Sequence, residues 1–339
     1  MKSFLYNMDY VNSQSKQNLF NVVSLFAGGG GSSTGYRLAG GNVLAINEFI
    51  ESAQETYQQN YPDTHIFKQD IRELTGKIIL DKLQIKKGEL DILDGSPPCA
   101  SFSIAGAKEK LWGEVKKYSD TEQRTDDLFF EFARILNEIQ PKVFVCENVA
   151  GLVSGVSSKL LGNQQYNIFG EEENTIYHTL TKCGYSVRFK VLNAKNYGVP
   201  QNRDRTIFIG VRNDIKNVIT FPKVFPEIVT IEEALNDVEY IEMKRKAFGE
   251  STPRRADKNS VCFTITADGL GATRRYKVIR TNKEENKLSI DELKILSSFP
   301  TDYKLTGSYS KQWERIGRAV PPLMMKEIAE HIYKTILNK

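Results

Sequence analysis

The chain reads as an α/β protein, a doubly wound and mostly parallel sheet joined to a second, smaller domain. Three observations predict this. Short apolar runs alternate with helically spaced segments through the first two thirds of the sequence. Several runs end in glycine- or proline-rich turns. After Arg212 the alternation stops and a Pro-, Lys- and Arg-rich stretch begins.

Asn21 to Phe26 reads as the first strand, followed by a glycine turn and a helix to Leu38. Val43 to Ile46 is the second strand, and a helix runs from Glu51 to Asn60. His65 to Lys68 and Leu90 to Leu93 are the third and fourth strands. From Thr125 to Ile139 the residues Leu128, Phe132, Ile135, Leu136 and Ile139 recur at helical spacing, and Pro141 closes the helix. Val143 to Cys146 is the fifth strand, and a helix from Asn174 to Cys183 stops at Gly184. Tyr185 to Leu192 and Thr206 to Val211 are two further strands. Residues 213–317 form the smaller domain, with short β-like pieces such as Val261 to Thr266. Residues 1–212 and 318–339 form the larger one, which a helix from Met324 to Leu337 completes. Ala105 to Ser119 and Gly155 to Gly170 read as loops, the first as a flap.

Composition narrows the function classes. The 339 residues carry 46 basic and 42 acidic side chains. The excess is uneven: Glu242 to Arg280 holds ten Lys/Arg against four Asp/Glu. A basic block in a near-neutral chain suits a phosphate-facing surface, although a solvated face fits charge alone equally well. The four cysteines, Cys99, Cys146, Cys183 and Cys262, form no CxxC pair, so neither a metal site nor a disulfide framework is read. This spacing implies a reduced, cytoplasmic protein. Met1 to Asn18 lacks an apolar signal core, and no stretch of 18 apolar residues exists, so no membrane segment is expected.

Four groups of residues carry chemistry. Phe26-Ala27-Gly28-Gly29-Gly30-Gly31 joins the first strand to the first helix, where glycines let a ligand approach the backbone. No Lys follows, so it is not a P-loop. Glu48 closes the second strand, 20 residues after Gly28, where an acid can bind ribose hydroxyls. Pro97-Pro98-Cys99 ends the fourth strand and sets a thiol on a rigid loop. Glu147 follows the fifth strand on the same sheet edge, so a nucleophile and an acid meet across one crevice. In Gln201-Asn202-Arg203-Asp204-Arg205, an extended chain points both arginines to one face. There they can hold an anion or a carbonyl oxygen.

Taken in order, these motifs resemble the C5-cytosine DNA methyltransferases. The resemblance adds Asp70-Ile71, Asp127-Leu128-Phe129-Phe130 and Gly317-Arg318-Ala319-Val320-Pro321-Pro322, and runs from about Asn21 to Ile336. Two positions depart from the family pattern: Ala100 replaces a Gln and Arg318 an Asn. The resemblance implies a Rossmann-like domain that binds S-adenosylmethionine and a target-recognition domain. Cys99 would attack C6 of a flipped cytosine. Glu147 would contact N3 and the exocyclic amine, Arg205 would meet O2, and Arg203 would support the pocket. The donor would lie among Phe26, Gly28, Gly30, Gly31, Glu48, Phe49, Asp70, Ile71, Pro97, Leu128 and Val320. Duplex DNA would meet Ser101, Ser103 and Thr264, with Arg254, Arg255, Arg274 and Arg275 as candidates for phosphate or base-edge contacts. A monomer is expected, with a restriction endonuclease as a functional but not stably bound partner. A tRNA cytosine methyltransferase and a catalytically silent DNA-binding homologue are the alternatives.

Overall fold

The computed structural model describes residues 4–98, 116–118, 121–123, 125, 127–149, 176–243, 253–267, 276–282 and 285–338. In chain order the first elements are α1 (Met8–Ser15), β1 (Asn21–Leu25), α2 (Gly31–Leu38), β2 (Asn42–Asn47), α3 (Glu51–Asn60), β3 (His65–Phe67), α4 (Gly76–Leu83) and β4 (Ile92–Gly95). A short pair follows, β5 (Lys116–Tyr118) and β6 (Thr121–Gln123), then α5 (Leu128–Ile139), β7 (Val143–Val149), α6 (Ile176–Lys182), β8 (Tyr185–Asn193) and β9 (Asp204–Arg212). The remainder comprises α7 (Ile231–Ala234), β10 (Val238–Met243), β11 (Arg254–Asp257), β12 (Tyr276–Arg280), β13 (Glu285–Asn286), α8 (Ile290–Leu296), α9 (Tyr309–Arg318) and α10 (Pro322–Ile332).

Seven strands form one sheet in the order β3-β2-β1-β4-β7-β9-β8. The pairs from β3 through β7 are parallel, and β9 runs antiparallel to both neighbours. From β1 the chain winds outward through β2 and β3, then returns to build the other half from β4. The order therefore reverses between β1 and β4, and a crevice opens outside their carboxyl ends.

Strand alternation divides the core into two faces. Val22, Ile46, Ile92, Val145 and Ile207 cluster with Met324, Met325 and Ile328 of α10. Val23, Ala45, Leu93, Phe144 and Phe208 cluster with Phe132, Ile135 and Leu136 of α5. A second, antiparallel sheet has the order β11-β10-β12-β13. Its Ile241, Ala256 and Val278 join the same apolar cluster as α10.

The chain departs from the sequence reading in places that matter. Helices α1 and α4 were not anticipated. β4 begins two residues later than read and runs through Gly95. β7 continues through Val149, because Glu147, Asn148 and Val149 stay paired with Ile207, Thr206 and Arg205 of β9. Glu147 is thus held inside a strand rather than after one. Val261 to Thr266 is not a strand. Its backbone is bound instead to the arginine motif, Asn202 N donating to Cys262 O at 2.8 Å and Cys262 N to Pro200 O at 3.1 Å.

Candidate active site

The glycine turn is built for two purposes at once. Gly28 has φ +55°, and a Cβ placed on it would meet nothing within 4 Å, so its backbone faces open space. The next three glycines serve packing. A Cβ on Gly29 would lie 2.5 Å from Arg315 Cγ, one on Gly30 2.4 Å from the Tyr303 hydroxyl, and one on Gly31 2.4 Å from Val320 O. Tyr303 also donates its hydroxyl to Gly29 O at 2.5 Å. Phe26, at φ +55°, adds a non-glycine residue in the left-handed region, where strain concentrates at functional loops. Gly30→Ala combines a positive φ of 90° with a collision and is expected to cost about 3 kcal/mol. Gly28→Ala carries backbone strain alone and is expected to cost about 1 kcal/mol. Urea unfolding of both variants checks the order, and equal losses would contradict it.

Glu48 ties this turn to β2. Its carboxylate accepts from Gly28 N and from Ile50 N, each at 2.7 Å. Burial pushes its pKa up, while these hydrogen bonds and the Arg315 charge pull it down. Phe49 beside it is 40% exposed, free to cover a planar group. Asp70 is braced by Arg72, whose guanidinium also holds Asp127 at 2.6 Å, immediately before α5. Ile71, Leu128 and Val320 are buried, as is Pro97. The cofactor residues read from the sequence therefore gather along the ends of β1 to β4 and the start of α5.

On the other side of the switch point, Arg205 Nε meets Glu147 Oε1 at 2.6 Å. Both side chains are nearly buried, so the pair is strengthened by its low-dielectric surroundings. Arg203 is not part of that pair. Its Nη1 donates to Ile265 O at 3.0 Å, and its Nη2 donates to Gly317 O at 2.8 Å and Ala319 O at 2.9 Å. Burial first, and then the Arg205 charge, push its guanidinium below its usual pKa range, while Glu147 opposes them. Gln201 belongs to the same junction: its amide nitrogen reaches Leu296 O and Ser297 Oγ, and its oxygen accepts from Ile265 N at 3.2 Å.

β4 delivers Ser96, Pro97 and Pro98 to this crevice. Cys99, Ala100, Ser101, Ser103, Arg274 and Arg275 lie outside the described residues, as do most of the Ala105–Ser119 flap and the Gly155–Gly170 loop. Thr264 Oγ1 donates to Asn202 O, which fixes it beside the arginine motif. Arg254 and Arg255 sit exposed on β11. Arg255 lies 4.0 Å over the Tyr240 ring, which orders its guanidinium. Arg318, at the position of the family's Asn, is ion-paired to Glu314 at 2.8 Å. Tyr303 and Arg315, which shape the glycine turn, were missed in the sequence. They stand more than 270 residues from that turn, and no local pattern marks them.

The family model described as C-5 cytosine-specific DNA methylase matches residues 20–260 and 236–334. The chain is 30% identical over 350 residues to the Type II methyltransferase M1.HphI of Haemophilus parahaemolyticus, covering 94% of this chain and 87% of that protein. It is 27% identical to M.NgoPII of Neisseria gonorrhoeae, covering 96% and 98%. Among solved structures, a prophage-encoded Escherichia coli protein described as a DNA modification methyltransferase superposes with a TM-score of 0.68 at 20% identity, covering 94% of this chain and 100% of that one. DNMT2 of Spodoptera frugiperda gives 0.61 at 18% identity, covering 91% and 98%.

Proposed function

We propose, for a chain that belongs to the C-5 cytosine-specific DNA methylase family, methyl transfer from S-adenosylmethionine to C5 of a cytosine flipped out of a short duplex site. At the coarser level the protein is a C5-cytosine DNA methyltransferase of the Type II restriction–modification kind. The observation that carries the finer reading is the Glu147–Arg205 pair, one strand away from the exit that leads to Cys99.

S-adenosylmethionine supplies the methyl group. The open backbone at Gly28, the adjoining Glu48 carboxylate and the exposed Phe49 ring fit an adenosine bearing ribose hydroxyls. Asp70, held by Arg72, would meet the adenine amino group, and Ile71, Leu128, Pro97 and Val320 would close the apolar side. Cytosine C5 is a poor nucleophile. In the proposed chemistry the Cys99 thiolate bonds to C6, and the ring electrons move toward C5 and N3. Glu147 holds a proton at N3 and the exocyclic amine, and Arg205, fixed by Glu147, donates to O2. C5 takes the methyl group as its bond to the donor sulfur breaks, leaving a neutral thioether. Solvent then takes the C5 proton, the C6–S bond breaks to return the Cys99 thiolate, and N3 gives its proton back to Glu147, which restores the aromatic ring. The base must leave the duplex for this geometry. Arg203 acts through the backbone it ties down. We read residues 213–317 as the target-recognition part, with Thr264, Arg254, Arg255, Arg274 and Arg275 toward DNA. The same reading makes the enzyme a cytoplasmic monomer, with a restriction endonuclease as a separate partner. Among the described residues no helix is long and apolar enough to cross a membrane.

Transfer of labelled methyl to unmethylated duplex DNA, run beside Cys99→Ser and a tRNA substrate, tests this reading. Duplex DNA is expected to be labelled, and Cys99→Ser to lose about 10³-fold or more. Labelling of tRNA alone would move the substrate to RNA. Donor binding without labelling of either would leave a silent DNA-binding homologue.

A further inference from the structure

Asp94 is a fully buried carboxyl group in the middle of the sheet, 1% exposed, and the chemistry above gives it no task. Ser24 of β1, its register partner, donates to Oδ2 at 2.6 Å. Tyr36 of α2 donates to Oδ1 at 3.1 Å. Burying a carboxyl in an apolar face is costly unless it is bonded in this way. Its place is distinctive. Ser24 stands four residues before Gly28, and Asp94 five before Cys99, so one hydrogen bond ties together both strand exits at the switch point. On its other flank Asp94 pairs with Val145. Glu147, two residues farther along β7, shares that sheet face, with about 8 Å between the Cα atoms.

We propose that Asp94 is a positioning residue for methyl transfer, fixing the exits that carry the glycine turn and Cys99 and opposing the negative charge of Glu147 across the face they share. This rests on the role given to Glu147 above. Burial raises the Asp94 pKa; the bonds from Ser24 and Tyr36 lower it, and the Glu147 charge raises it again, leaving it at about 7. The titratable groups around it are Tyr36 from α2 and Glu147 from β7, with Arg205 of β9 behind Glu147. Its other neighbours on the face, Val22, Ile92 and Val145, do not ionise. Below neutrality Asp94 is uncharged. Above it, an ionised Asp94 adds a negative charge on the face where Glu147 meets the base, which favours the protonated N3 of the reacting ring. Asn at this position imitates the acid form at every pH.

The experiment follows kcat and both KM values against pH for the wild type, Asp94→Asn and Tyr36→Phe, with infrared difference spectra of the unliganded proteins. The ratio of Asp94→Asn to wild-type kcat is expected to fall about threefold to tenfold between about pH 6 and pH 8.5, with unchanged KM ratios. Tyr36→Phe, which weakens the ionised form, is expected to move the same way by less. A carboxylic-acid band that titrates near neutrality and is missing in Asp94→Asn is the spectral counterpart. A ratio constant with pH would reduce Asp94 to a structural role and overturn the proposal, as would the absence of a titrating band. If the wild type labels no DNA at any pH, the functional reading fails by itself, and the band alone decides whether Asp94 carries the titrating proton.

Discussion

Glu147→Gln is expected to lower kcat about 10²- to 10⁴-fold while the protein stays folded. Gln keeps the length of the side chain and one oxygen for Arg205, so the 2.6 Å contact is replaced by a neutral hydrogen bond rather than by a void. What disappears is a group able to hold a proton at the base and then release it. DNA affinity is expected to change far less than kcat, because Glu147 sits in the strand end and not on the basic surface. Single-turnover methylation with prebound DNA separates the two effects. A kcat within tenfold of the wild type would remove Glu147 from the reaction.

Arg203→Ala is the second large effect, and it is expected in stability as well as in rate. The guanidinium gathers the carbonyls of Ile265, Gly317 and Ala319, tying the stretch after Cys262 to the end of α9. Its charge is held in a buried setting against both desolvation and Arg205, so those bonds offset a substantial penalty. Truncation leaves buried carbonyl oxygens unpaired and a cavity beneath the arginine motif, at about 3–5 kcal/mol. Against a typical stability of about 5–15 kcal/mol this is a large fraction. Arg203→Lys retains a charge but not the planar fork, and is expected to recover only part of the loss. Urea midpoints for both variants check this. A shift below about 1 kcal/mol for Ala would show that the three carbonyls find other partners.

The placement of much of the candidate site was legible because its residues fall at strand ends. Gly28, Glu48, Pro97 and Arg205 each belong to a short contiguous motif, and alternating α/β order places such motifs on one sheet edge without further information. Strand lengths were less legible. Glu147 and Asn148 look like the end of an apolar run, yet their backbones remain in the ladder with β9 while Glu147 turns its side chain to Arg205. Asp94 lies just past the strand read as Leu90 to Leu93, and nothing nearby in sequence announces Ser24 and Tyr36 as its donors. Arg203 and Arg205 share a face, as the extended motif implies, but only the fold reveals that one binds backbone and the other a carboxylate. Helix α1 escaped notice because it holds one buried side chain, Val11, and offers little periodicity.

The hydrogen bond from Tyr303 to Gly29 spans 274 residues. At roughly 5–20 residues per second, the ribosome needs about 15–60 s to travel between the two. During that interval the nascent chain has its first strand, the glycine turn and Glu48, but Tyr303, which closes on Gly29 and Gly30, has not been synthesised. Arg315 and Val320 arrive later still. The pocket is therefore completed only after Arg315 and Val320 have been made, and an unfinished chain ending before Tyr303 would carry the motifs from Phe26 to Arg205 without the packing that shapes the glycine turn.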